Sequence, residues 1–568
     1  MQQKISTLLL FCYLLFSQNT FAQVYGYDWA KTAGGTGQDE GLSIAADKDN
    51  NIITVGYFND TIDLDPGTGT MKMYSNGSND IFIQKLSGTG SYIWGFTIGS
   101  TGSDKAQSVI TDANGNIYVT GNYVGTVDFD HGSGVVSLTS SGSEDIYFAK
   151  YKSDGSLAWV KSVGGSAGDN AYSIARDDAG NIFLTGYFRT TADFDPDPVN
   201  TANITATGGA PDIFVAAYDS TGGYLSAHSG GDVSGDAGNH IVTYAGALYI
   251  TGDFQGTADF DPIGTYNLTS AGASDIFIAK YDVSTSAMQW AKNMGGIVND
   301  GGYGIAVDDK GSVYTTGYFQ GTAVDFDPGT GTTSLTAAAE DIFIQKLDAN
   351  GDFLWVKQIG GVNPDMARNI KMTSTGKGIL VTGSFTSVVD FDPGSGTANL
   401  TGSGQEDAFI LMLDTAGIFQ WAKSMGGSSS DIGYHITAAA DLNIYTTGRF
   451  AGTADFHTEG TDNLTSAGLY DAFIHKLKIA TGNVAGNAIA AGDITLFPNP
   501  ATNKLHIALK QYHKQITITI TDINGKVLQQ QQHTGNTATA DITALAAGNY
   551  YISIHTGNAS TIAPFTKL

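Results

Sequence analysis

Pairs of aspartates one residue apart recur along the chain, at Asp63/Asp65, Asp128/Asp130, Asp193/Asp195, Asp259/Asp261, Asp325/Asp327 and Asp390/Asp392, and the series ends in Asp455 with His457. In an extended segment residues i and i+2 point the same way, so each pair aims two carboxylates to one side and its central Phe or Leu to the other. Two hard oxygen donors could begin a Ca²⁺ site, completed by backbone carbonyls or by another acidic residue. The pattern lacks the third acidic position and terminal Glu of an EF-hand. Most of the pairs run on into Pro and Gly, where Asp accepts local amides and Pro and Gly preset the φ values, so a purely structural turn is the preferred reading and calcium the second.

Two further aspartate series share the same spacing. Asp39, Asp104, Asp169, Asp236, Asp300, Asp365 and Asp431 precede one apolar segment of each repeat, and Asp80, Asp145, Asp212, Asp275, Asp341, Asp407 and Asp471 open another. The first series is expected to ring a central channel. Catalytic signals are sparse. The histidines His131, His228, His240, His435, His457 and His475 share no repeat position, no His-Glu-x-x-His occurs, and the chain has only five Glu. The Gly-Gly pairs precede strands and lack the helix and Lys of a phosphate loop. No catalytic residue is assigned and no cofactor is expected beyond the possible calcium.

The elements that position these residues follow from a repeat. A Gly closes a Tyr-Val-Thr-Gly-like strand at Gly56, Gly121, Gly186, Gly252, Gly317, Gly383 and Gly448, a period of about 65 residues seven times over. In the best-preserved unit Tyr303 to Val307 turns through Asp308-Asp309-Lys310-Gly311 into Val313 to Phe319. Asp341 to Leu347 then turns through Asp348-Ala349-Asn350-Gly351 into Phe353 to Ile359. Four antiparallel strands per period describe a propeller blade. A Trp-bearing strand stands alone at Trp29-Ala30-Lys31, and the seventh unit lacks one, so pairing the N-terminal strand with the last blade closes the ring and removes two bare edges. The fourth unit is the odd one: Tyr224 to His228 replaces the Trp strand before it and Ala217 stands where neighbours carry Lys, which reads as drift in a redundant unit or as a ligand site.

Gly115 to Gly121 (Gly-Asn-Ile-Tyr-Val-Thr-Gly), Asp275 to Tyr281 (Asp-Ile-Phe-Ile-Ala-Lys-Tyr) and the Trp strands resemble the bacterial SBBP β-propeller repeat family. The resemblance implies secreted or cell-surface proteins, most without an assigned reaction. Met1 to Ala22 has the layout of an export signal, with Lys4 and an apolar run from Leu8 to Phe16 too short to span a bilayer. The single cysteine, Cys12, lies within it, so the mature chain should lack cysteine and have no transmembrane segment. Residues 478–493 read as a linker. Beyond it, Leu496-Phe-Pro-Asn-Pro500, Lys504 to Leu509, Ile516 to Ile523 with the turn Asp522 to Lys526, and Leu545 to Ile554 alternate like sandwich strands. Their order resembles the type A C-terminal sorting domain of the type IX secretion system, which implies handling by that machinery through residues 494–568. Pro564 departs from the usual ending and is expected to weaken the last strand's pairing.

The expected fold is therefore all-β: a signal peptide at 1–22, a seven-bladed β-propeller at 23–477 with four-stranded blades, a linker at 478–493 and a small C-terminal β-sandwich at 494–568. Net charge is −27, and from Ile494 onward five Lys face only Asp522 and Asp541, so the acid excess falls on the propeller. Nucleic acid is excluded as a partner because its phosphates would be repelled. A glycan or a cell-surface protein remains. The expected function is non-catalytic binding, adhesion or surface structure outside the cell or on its surface; the alternative is a secreted carbohydrate-active or other hydrolase acting at the channel mouth.

Overall fold

A computed structural model describes residues 25–458, 460–479, 494–521, 527–556 and 559–568. The expected signal peptide, Cys12, most of the linker and the Asp522 to Lys526 turn lie outside the described residues. The chain divides into two compact units, Gly26–Lys478 and a smaller one built mainly from Ile479–Leu568. Among the described residues there is no α-helix, and no helix long and apolar enough to cross a membrane.

The larger unit contains five four-stranded and two six-stranded antiparallel sheets, each of the seven with a four-stranded core, and three two-stranded ribbons. The fifth sheet shows how the sequence makes a blade: Gly301–Val307, Val313–Asp325, Ser334–Leu347 and Phe353–Ile359 pair in chain order through tight turns. The innermost strands are Asp39–Ala46, Lys105–Thr111, Asn170–Arg176, Ala237–Tyr244, Gly301–Val307, Met366–Met372 and Ile432–Ala438, each beside the next, with the first beside the last. The ring is closed by Tyr25–Ala33, which pairs with Asp471–Ile479 as the outermost strand of the seventh sheet.

Because each blade is covered on both faces, its third strand reads as a nearly continuous apolar run rather than an alternating one. Ile342 and Ile344 join the apolar cluster shared with the sixth blade, while Phe343 and Leu347 join the one shared with the fourth. Each fully buried Ile or Phe contributes roughly 1.5–3 kcal/mol, so the core consists of the seams between blades.

A second lock joins the outer parts of neighbouring blades. Trp290 Nε1 and Lys280 Nζ both donate to the carbonyl of Ala349, in the outer hairpin turn of the next blade, at 3.2 and 3.1 Å. Trp29 and Lys476 grip Gly88 in the same way, at 3.3 and 2.7 Å. The turn glycine faces the indole: Gly351 has φ +81°, and a Cβ there would lie 3.0 Å from a Trp290 ring carbon. A side chain would therefore meet both backbone strain and the ring.

The junction between the third and fourth blades departs from this pattern in a compensated way. Ala217 lies opposite Ser226, where four other sheets place Lys opposite Trp and the sixth places Met412 opposite Trp421. The turn residue it faces is Ser286 rather than Gly, and the two serine hydroxyls lie 2.9 Å apart. His228 partly fills the vacated space, with its ring 4.9 Å from Tyr281, and burial lowers its pKa to about 4. The remaining cavity, about 10 Å³, holds about one water and no larger ligand.

The C-terminal unit is a five-stranded antiparallel sheet: Ile494–Phe497, Lys504–Thr521, Val527–Asp541, Gly548–Thr556 and Ala559–Lys567. The two expected strands Lys504 to Leu509 and Ile516 to Ile523 are halves of one long strand with an irregularity between Ala508 and Ile516. Its first half pairs with Ile494–Phe497 and its second with Gly548–Thr556, so both halves enclose one core containing Leu505, Ile507, Ile518 and Ile552. Pro564 does not break the last strand, where it lies opposite Tyr551. That strand ends the sheet order, so the missing N–H falls where a ladder bond is dispensable.

If Trp29 holds the ring closed, Trp29→Ala should cost about 3 kcal/mol in urea unfolding of the propeller. Loss of less than about 0.5 kcal/mol would show that the closing strand contributes through its backbone alone.

Candidate functional site

The Asp-X-Asp pairs turn their carboxylates into their own loops. Asp325 Oδ1 accepts the amides of Asp327 and Thr333, at 3.0 and 2.9 Å, and Asp327 Oδ1 accepts that of Gly329 at 2.9 Å. Asp63, Asp128, Asp193, Asp259 and Asp390 bind the residue two positions on and a residue seven to nine positions on in the same manner. Asp65, Asp130, Asp195, Asp261 and Asp392 each hold the amide two residues on. The residue between each pair, Phe326 for example, is buried. The other two aspartate series do not complete a ligand shell around these pairs, and among the described residues no three His, Cys, Asp or Glu side chains converge on one point.

The remaining two series meet each other instead, at every blade junction. Asp300 Oδ2 accepts the Gly296 amide at 2.7 Å and Oδ1 the Gln320 amide at 2.9 Å, while its own N–H donates to the Ser274 carbonyl at 2.8 Å. Gly296 and Ser274 belong to the preceding blade, and Gln320 belongs to its own. Asp104, Asp169, Asp236, Asp365 and Asp431 repeat these bonds. The expectation that this series rings the channel is therefore corrected: these side chains are 0–2% exposed and turn sideways into the junction, because that is where unpaired amides need acceptors.

Asp275 sits beside that junction. Its Oδ2 accepts the Ala271 amide at 3.0 Å, but Oδ1 has no donor, and the same holds for Oδ1 of Asp80, Asp145, Asp212, Asp341 and Asp407. A Cβ placed on Gly426 would lie 2.7 Å from Asp407 Oδ1 and 2.9 Å from Asp431 Oδ2, so the two carboxylates flank one small space that only glycine leaves open. This accounts for Gly34, Gly164, Gly295, Gly360 and Gly426, the first of their Gly-Gly pairs, and for Gly231, the second of its pair. Burial pushes these carboxyls up: Asp39 to about 8, Asp169, Asp300 and Asp365 to about 7, and Asp275, Asp407 and Asp431 to about 6. The facing carboxylate adds to the effect at Asp300 and Asp431.

The channel is lined by what the blades do not share. Every innermost strand carries a bulge at one position, occupied by Leu42, Gln107, Tyr172, Asn239, Tyr303, Arg368 and Tyr434. A bulge takes a residue out of the ladder and re-aims its side chain. Here the re-aimed groups reach their neighbours around the axis. The Arg368 guanidinium lies 5.1 Å from the Tyr303 ring centroid, and Asn239 Nδ2 donates to Asp253 at 2.8 Å and to the Gly302 carbonyl at 3.0 Å. Tyr187 and Tyr318, on second strands, pack at 5.6 and 5.7 Å from Tyr172 and Tyr303. Arg449 binds Glu40 at 2.7 Å across the closing junction. Burial raises Asp253 to about 6. The expectation that the chain has no Gly-x-Ser-x-Gly motif is corrected: Gly164-Gly-Ser-Ala-Gly168 fits the pattern, but it runs from a strand end into a loop with no helix behind it.

Residues 158–194 match the SBBP beta-propeller repeat family, and residues 495–566 match the secretion system C-terminal sorting domain family. The tail thus marks the chain for type IX export to the cell surface or beyond it. An uncharacterized WD repeat-containing protein of Acanthamoeba polyphaga mimivirus is 25% identical over 505 residues, covering 73% of this chain and 35% of that one. The regulatory protein FlaEY of Caulobacter vibrioides is 25% identical over 314 residues, covering 49% of this chain and 32% of that one. The chain spans about a third of the length of these curated relatives. Among solved structures, the quinohemoprotein alcohol dehydrogenase of Comamonas testosteroni is similar at 10% identity and TM-score 0.36, covering 84% of this chain and 79% of that one.

If the Asp-X-Asp pairs act as loop clamps, melting temperatures in Ca²⁺ and in NaCl of matched ionic strength should agree, and Asp325→Ala should cost about 1–2 kcal/mol through its two freed amides. A gain specific to Ca²⁺ that disappears in Asp325→Asn/Asp327→Asn would assign cation sites instead.

Proposed function

We propose that this chain, a β-propeller repeat protein with a secretion-system sorting tail, acts outside the cell as a non-catalytic binding protein whose ligand contacts lie at the channel mouth. One observation carries the reading. The positions that hold the blades together repeat, whereas the bulged residues that leave the ladder differ from blade to blade and combine three tyrosines with Gln107, Asn239 and Arg368. A seven-fold symmetric ring cannot orient an asymmetric ligand; an irregular set of rings and hydrogen-bonding groups can. Tyr172, Tyr303 and Tyr434 are half-buried, so each leaves part of its ring or hydroxyl open. Aromatic faces interleaved with amide and guanidinium donors suit a neutral glycan or a loop of a surface protein.

The test is a glycan array and a panel of cell-surface proteins probed with the wild-type chain and with Tyr172→Ala/Tyr303→Ala. The expected result is saturable binding that the double variant weakens at least tenfold, with an unchanged melting temperature and no product released from the bound glycan. Binding that the variant leaves intact would move the contact surface away from the mouth, and product release would replace the reading with hydrolysis.

A further inference from the structure

Within the ring lies a cavity of about 380 Å³, lined by the second halves of six innermost strands. Its wall combines apolar residues, including Ala45, Ile110, Ala175 and Val242, with Thr111, Thr243, Thr437, Arg176, Lys371 and two histidines, and in a chain of net charge −27 not one lining residue is a carboxylate. Two repeat positions break their pattern here. At the first, Ser43, Ser108, Ser173 and Asn369 use a side-chain oxygen to accept an amide of the next blade, that of Val109, Ile174, Ile241 and Ile436. His240 and His435 occupy this same repeat position, contrary to the expectation that the histidines share none, and do the same through Nδ1, from Ile305 at 3.0 Å and Ile44 at 3.5 Å.

A main-chain N–H only donates, so the accepting Nδ1 must carry a lone pair, and the proton of each neutral ring stands on Nε2. Burial together with the nearby Lys371 lowers His240 to about 3 and His435 well below its usual value, so both remain neutral donors. Their ring centroids are 6.4 Å apart. At the second position, six blades present Ala45, Ile110, Ala175, Val242, Ala306 and Thr437, and one presents Lys371. Its side chain is exposed in the bore yet ringed by protein, and it makes no ion pair or hydrogen bond among the described residues.

We propose that this cavity is a binding site for a small organic carboxylate, its head group held by Lys371 with the Nε2–H groups of His240 and His435 and its body against the apolar wall. An ammonium surrounded by protein, with no acid beside it, lacks the counter-charge that such groups ordinarily find, and a carboxylate supplies both that charge and acceptors for the two imidazole donors. The volume exceeds that of a bare inorganic anion, and the apolar lining rewards a carbon skeleton. Repulsion by the acidic exterior is screened within about 10 Å at 0.1 M salt, whereas contact with Lys371 is made where little salt intervenes. The site is independent of the channel-mouth reading, since it uses none of the bulged residues.

The experiment is calorimetric titration of the full chain at pH 6.5 and constant ionic strength with sodium benzoate, its neutral isostere benzamide and sodium phosphate. The expected result is one saturable site for benzoate, with benzamide and phosphate at least tenfold weaker. Lys371→Met should weaken benzoate at least tenfold and Lys377→Met, on the outer surface, should not. Equal binding of benzoate and benzamide, preference for phosphate, absence of saturable binding, or full affinity in Lys371→Met would each overturn the proposal. The three-ligand comparison on the wild-type chain decides it even if Lys371→Met fails to fold.

Discussion

Six of the seven innermost strands follow an aspartate that accepts two main-chain amides at once, one from the end of the preceding blade and one from the end of its own second strand, and at the seventh Asp39 holds the Gly35 amide. The ring depends on this requirement. It places a charged group where water is excluded, and burying a carboxylate is costly unless hydrogen bonds compensate. It also brings that aspartate against the one opening the third strand of the preceding blade, whose outer oxygen lacks a donor. At five junctions the first Gly of a Gly-Gly pair leaves room for that carboxylate and the second supplies an amide to the other; at the junction of the third and fourth blades Gly231 and Asp232 take these parts. A motif that looks like loop punctuation is thus the crossing point of two blades.

The lock at the outer side works by different chemistry toward the same end. Trp and Lys of one blade converge on a carbonyl of the next, and a glycine turn lies flat on the indole. Where the Trp is lost its partners change with it: Ala217, Ser226 and Ser286 replace Lys, Trp and Gly at a single junction, and a hydroxyl contact replaces the stacked one, whereas Met412 replaces Lys opposite a retained Trp421. The three substitutions make sense only together.

Much of the fold was legible because repetition multiplies weak local signals. Period, strand order and the closing N-terminal strand could be read from Gly317 and its equivalents, the Asp-Gly turns and the lone Trp29. The direction of side chains was harder to read. The Asp300 series was expected on the axis because its strand is innermost, yet the unpaired amides of Gly296 and Gln320 turn it sideways, and no sequence rule for strands announces that. Tyr303 and Arg368 could have been placed on the axis only by knowing that the ladder bulges there, which alternation conceals. Lys371 and His240, isolated departures in otherwise bland positions, acquire meaning only when six strands bring them around one cavity. Scaffold and function separate along that line, since what repeats builds the ring and what varies faces its axis.

The facing carboxylates at the blade junctions are the most direct point of test. Asp407 and Asp431 are both raised to about 6 in the folded chain, mainly by burial, against about 3.9 for an unfolded aspartate. The folded state therefore holds protons that the unfolded state has lost, and their contribution to stability, present below about pH 4, is lost as pH rises through about 6. Buried neutral His228, His240, His435 and His475 act in the opposite sense, but only below about pH 6.5 and equally in a variant that leaves them untouched. Asp407→Asn keeps an acceptor for the Ser403 amide and places an NH₂ donor where Oδ1 faces Asp431. Thermal melting of this variant against wild type at pH 5 and pH 8, with the exposed Asp309→Asn as the control for net charge, should show a difference that shifts in favour of Asp407→Asn as pH rises, beyond any shift in the control. A loss of stability of equal size at both pH values would contradict a junction of facing carboxylates.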